Sequence, residues 1–252
     1  MAERLAQLRP VLAPLAVVVA AAVAVPPLAS DARHYAVVQA LQFVVFAVVA
    51  PALLILGWPG WLTRAGQLRA VRPLRADRAG VRAATGLLPY LALVITWRLP
   101  VVLGALARSP ALTALELVTL LASGAALWRE LTIPAAPAGD PLPRPLRAAM
   151  AAVPMWTIWA IAYVTGMSGA GLTLTRATAG ALSEAADRQL AVAVLWAVPA
   201  LCYVPVVFVM MMSWIGDREN PDAEVRRIIS AAAVPAPGTE PRAPRGWRSP
   251  GG

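Results

Sequence analysis

The chain has 252 residues, of which 59% are hydrophobic and only 14% charged, against roughly 25% charged in an ordinary soluble domain. A net charge of +9 invites a nucleic-acid partner, but all 22 basic residues are arginine and their positions follow the apolar segments, so that class is set aside. One cysteine excludes an internal disulfide, and one histidine excludes a dense imidazole metal site.

The apolar runs approach the roughly 20 residues that a helix needs to cross a bilayer. They predict an all-α fold, a polytopic transmembrane bundle of six spans forming one domain over residues 1–215. The spans are expected at residues 10–28, 34–57, 86–106, 110–128, 147–167 and 189–214. The first has arginines before an apolar run and Leu28-Ala29-Ser30 after it, the form of a secretory signal. Its length exceeds the 7–15-residue apolar core of such signals, so it is expected to be retained; cleavage would leave five spans. Residues 216–252 read as a cytoplasmic tail. In it Asn220-Pro221 and Glu224 mark the start of a short helix over about residues 221–230, and the Pro, Gly and Arg mixture beyond reads as disorder.

Arginine sets the orientation. The N-terminus, the loops after the second and fourth spans and the tail hold 17 arginines, whereas the opposite side has only Arg33, Arg108, Arg176 and Arg188. Cytoplasmic loops carry such an excess, which predicts both ends inside. Trp58, Trp61, Trp128 and Trp214 fall at predicted span ends, as an interfacial aromatic belt should.

The candidate site residues are the polar ones inside spans, because lipid cannot satisfy them. Gln39 and Gln42 lie in the second span, Arg98 in the third and Glu116 in the fourth. At about 1.5 Å of rise per residue, all four fall roughly 8–12 Å below the outer surface. A buried arginine costs about 2.5–3.5 kcal/mol on insertion scales, so it needs a partner. Glu116 stands across a short connection, and an Arg98–Glu116 ion pair is expected, with Gln39 and Gln42 as neighbouring amides. Such a cluster either fastens helices together or lines a cavity open to the outside. His34, Asp187 and Gln189 are further contributors at the outer face; for His34 the plain reading is a solvated interfacial side chain, and for Asp187 the N-cap of the sixth span. Cys202 reads as an apolar filler. Met210, Met211 and Met212 cannot converge on one metal ion from consecutive helical positions. No phosphate loop, zinc motif or nucleophile elbow is present, and no catalytic residue is assigned.

The motifs in chain order resemble a family. The second span carries Gln39-Ala-Leu-Gln42-Phe43, then Ala50-Pro51 and Gly57-Trp58-Pro59. Trp97-Arg98-Leu99-Pro100 follows, then Thr113-Ala-Leu-Glu116-Leu117, then Asp187-Arg188-Gln189-Leu190-Ala191 with Trp196 and Pro199. This order is similar to that of the CtaG-type cytochrome c oxidase assembly proteins. The resemblance implies a non-enzymatic role in copper-centre biogenesis, in a bacterial-type plasma membrane. Oxidase subunits or copper chaperones are the implied partners beside the bilayer itself. It also implies copper-binding histidines, but those motif positions hold Gln39, Phe43, Arg98, Thr113 and Leu117, so no metal ligand and no cofactor is assigned. The expectation is a divergent scaffold or accessory that has lost direct copper ligation. A small-solute or ion transporter using the Arg98/Glu116 cluster, and a purely structural subunit of a membrane complex, remain alternatives.

Overall fold

The computed structural model describes residues 2–26, 28–32, 34–57, 78–106, 108–132, 144–168 and 183–218. The arginine-rich segment at 58–77 and the tail from 219, including the short helix expected there, lie outside these residues. Among those described the chain is wholly helical. The helices are α1 (Ala2–Ala24), α2 (Leu28–Asp31), α3 (Ala36–Val44), α4 (Ala50–Gly57), α5 (Arg78–Trp97), α6 (Pro100–Leu106), α7 (Pro110–Thr132), α8 (Arg144–Ser168) and α9 (Glu184–Arg218), with a π-helical turn at Val45–Val49 joining α3 to α4.

Four helices are long and apolar enough to cross a bilayer: Ala36–Gly57, Pro110–Thr132, Pro145–Thr165 and Glu184–Gly216. The expected third span is a bent pair, Ala84–Trp97 and Pro100–Leu106, set at 72°. The apolar part of α1, Pro10–Ala24, is shorter than a full crossing. Among the described residues, four helices could thus cross by length and composition, or five with the bent pair; six spans are expected from the sequence. The difference lies in α1, which ends at Ala24 two residues before Pro26, and in the third apolar run, which breaks at Pro100.

The break has a simple cause. Proline has no N–H to return to the preceding turn, and it disfavours helical backbone at the residue before it. The last turn of α5 accordingly tightens, with Arg98 N–H donating to Ile95 C=O at 3.0 Å and Leu99 N–H to Thr96 C=O at 3.2 Å. Pro100 then opens α6, a position where its missing N–H is harmless.

The second span is the central one, with 67% of its apolar window buried against 17% for α9. Pro51 shapes it too. Ala47 C=O loses the donor that residue 51 would supply, and the helix widens just before the proline, where Ala50 N–H reaches back to Val45 C=O. Gly124 of α7 faces this place. A Cβ there would lie 2.6 Å from Pro51 Cγ and 2.7 Å from Ala47 O. The glycine thus lets α7 seat directly on the Ala47 carbonyl, which proline deprives of its ordinary helical donor. Gly57 does the same for α1, since a Cβ there would run into the backbone of Leu12 and Ala13. Small residues at crossings are how membrane helices approach closely.

The last helix is joined differently. It meets the bundle through large side chains: Tyr203 stacks on Trp128 with centroids 5.3 Å apart, and Trp196 stacks on Trp159 at 4.7 Å. Tyr203 OH donates to Tyr90 OH at 3.4 Å. Trp128 is therefore a core residue, 2% exposed, and not the belt residue expected from its place at a span end.

The packing at Gly124 yields a first prediction. Gly124→Ala should lower stability by about 1–3 kcal/mol through overpacking, read as an earlier thermal unfolding transition of the detergent-purified chain. Gly216→Ala, where a Cβ meets nothing within 4 Å, should leave the transition in place.

Candidate functional site

Arg98 stands in the break between α5 and α6. Its Nη2 lies 3.0 Å from Glu116 Oε1, and the two side chains are 5% and 6% exposed. The guanidinium carbon sits 3.8 Å from the centroid of the Phe43 ring. One positive charge thus meets two electron-rich features: a carboxylate on α7 and an aromatic face on α3. Three segments of the fold are tied at one point. The guanidinium is not fully engaged, because Arg98 Nε is buried without a hydrogen-bond partner.

Neighbouring contacts fix the pair. Trp97 Nε1 donates to Thr119 Oγ1 at 3.0 Å, and Thr119 sits one turn beyond Glu116 on the same face of α7. Thr119 OH in turn reaches Leu115 C=O at 2.7 Å. At the N-terminal end of α7, Ser109 Oγ accepts from Leu112 N–H at 3.4 Å, and Pro110 occupies the first turn. Thr113 OH lies 3.4 Å from Leu106 C=O, bridging α6 to α7.

The expected amide neighbours divide. Gln42 is 6% exposed, but its Nε2 donates to Val23 C=O at 2.5 Å and not to the ion pair. Val23 lies in the last turn of α1, where carbonyls have no helical donor. Gln42 therefore closes the end of α1. Gln39, one turn earlier, is half-buried. His34 is exposed, as is Gln189.

Asp187 departs most from expectation. It does not cap its own helix. Ser183 does that, with Oγ accepting from Ala186 N–H at 3.2 Å. Asp187 Oδ2 instead accepts from Ala36 N–H at 2.7 Å and Oδ1 from Val37 N–H at 3.0 Å. The carboxylate of α9 thus caps the first turn of α3. The helix that carries the expected sixth span begins at Glu184, after Ser183, a recognisable cap followed by an acidic first turn. The part played by Phe43 was missed. Its spacing from Gln39 puts both on one helix face, the available signal, although nothing local identifies Arg98 as its partner.

The donor set can be tested against copper. A copper site needs several imidazole or sulfur ligands. Positions 39, 43, 98, 113 and 117 hold Gln, Phe, Arg, Thr and Leu, none of which supplies one. Among the described residues no group of three or more His, Cys, Asp or Glu could hold a metal ion. The residues present do not fit copper.

Comparison with known proteins gives one finding. A family model described as cytochrome c oxidase caa3 assembly factor (Caa3_CtaG) matches residues 3–217. No curated protein and no solved structure matches.

The pair predicts an asymmetry in stability. Arg98→Leu alone leaves Glu116 buried without its partner and should cost about 3–5 kcal/mol. Arg98→Leu with Glu116→Leu removes both charges and should cost markedly less. Chemical denaturation of the two purified variants measures this; equal losses would mean that the two charges do not stabilise one another.

Proposed function

The chain belongs to the cytochrome c oxidase caa3 assembly factor family, and we propose that it serves assembly of the respiratory oxidase as a membrane-embedded, non-catalytic accessory. The observation that carries this reading is the family match over residues 3–217, nearly the whole helical part. The protein is a multi-pass membrane protein by its apolar helices; the reading locates its work in a bacterial plasma membrane, beside oxidase subunits or the chaperones that supply them, and the family match supports it.

We further propose that it does not itself ligate copper. Arg98 takes the place of the cation that the family's motif positions are built around, and Glu116 and Phe43 hold it there. The carboxylate keeps a permanent partner and the site needs no metal to remain closed. The arginine asymmetry favours an arrangement with both ends cytoplasmic, in which α1 and the bent α5–α6 pair complete six crossings. The close seating of α1 against Gly57 supports α1 as a companion of the second span.

A second reading draws on the break at Arg98. Discontinuous helices with a charged residue at the interruption line the binding sites of transporters. Deletion of the chain from its host should lower the assembled oxidase, read as cyanide-sensitive oxygen consumption and haem absorbance of isolated membranes, and the wild-type chain should restore it. Unchanged oxidase in the deletion strain would contradict the assembly role, and Arg98-dependent solute flux in liposomes would select the transporter instead.

A further inference from the structure

Two kinds of attachment hold the helices. The crossings of α1 with α4 and of α4 and the π turn with α7 are close backbone contacts that a methyl group would disrupt at Gly57 and Gly124. Within residues 184–211, α9 shows no comparable close backbone crossing; it packs through a side-chain seam that buries Ala191, Leu195 and Tyr203, with polar and aromatic contacts at three levels. At the outer end Asp187 binds Ala36 and Val37. In the middle Trp159 Nε1 donates to Trp196 C=O at 3.0 Å, a carbonyl in the turn that Pro199 disturbs. Further in, Tyr203 contacts Trp128 and Tyr90.

The α3 end needs what Asp187 gives. Its own N-cap residue is Tyr35, with extended backbone at φ −118° and no side-chain capping bond. The orphan N–H groups of a first helical turn otherwise need water or a side-chain acceptor. Here the acceptor is 7% exposed and comes from the other end of the sequence. A carboxylate at a helix N-terminus also matches the positive end of the dipole.

We propose that α9 is a separable clasp on the bundle and that Asp187 is its catch. When α9 docks, Asp187 completes the first turn of the central span; when α9 lifts, that turn loses its cap. Docking of the last helix and order at the outer end of the second span are one equilibrium. The inference stands on these contacts and is independent of the family assignment. It gives Asp187 a positioning role, because the helix it caps carries Gln39, Gln42 and Phe43.

Hydrogen–deuterium exchange of the full chain in lipid nanodiscs tests it. In Asp187→Ala the amides of Ala36 and Val37 and those of residues 188–195 should exchange about tenfold faster, the scale of a lost cap. Amides of α5 and α7 should keep their rates. Adding Tyr35→Asp gives α3 a cap of its own, and should restore Ala36 and Val37 while residues 188–195 stay fast. If Asp187→Ala does not fold, Asp187→Asn, which keeps one acceptor oxygen, is read the same way. Unchanged exchange at residues 188–195 would overturn the proposal. So would restoration of both segments by Tyr35→Asp, or a uniform rise across α5 and α7.

Discussion

A full positive charge is held at a helix break inside an apolar bundle, and the central geometry follows from satisfying it. Arg98 can sit there only because a carboxylate and an aromatic face meet it. Those features come from α7 and α3, and Arg98 itself directly follows α5, so the charge cannot be accommodated unless the three are in register. Leaving such an ion unpaired costs several kcal/mol, whereas apolar packing alone tolerates sliding. The ion pair therefore contributes specificity of arrangement more than net stability.

The glycine crossings work with it. Pro51 frees a carbonyl and widens the central helix, and Gly124 lets α7 cover the gap. Glu116 is about two turns from Gly124 on α7. The crossing that buries the proline defect thus also brings the carboxylate to Arg98. Trp97 and Thr119 add a hydrogen bond between the same two helices. Around this core, α1 is closed by Gln42, and α9 is secured by Asp187 and by aromatic stacking.

Much of this was legible in the residues. Apolar run length gave the all-helical membrane fold, and the cost of a buried arginine gave the Arg98–Glu116 pair. The motif order gave the family, which the match over residues 3–217 establishes. The failures have physical causes. Pro100 sits inside an apolar run whose only charged residue over 86–106 is Arg98, and run length alone does not register the 72° bend there. Gln42 was assigned by depth to the ion pair, but a free helix-end carbonyl on α1 is a nearer need. Asp187 was read as a local cap because sequence shows only local neighbours, while its partners lie at Ala36 and Val37. Trp128 looks like a belt residue by position, yet tertiary stacking on Tyr203 takes it inside.

Family membership and donor chemistry then point in different directions, and the cluster reconciles them. Motif positions 43 and 116 both contact the charge that the protein itself carries at position 98. A titration of Cu(I) into the purified full chain, in competition with a chromogenic chelator, tests that account most directly. It predicts that the wild-type chain withdraws no stoichiometric copper. One equivalent of Cu(I) retained by the wild type and lost in Arg98→Ala would contradict it.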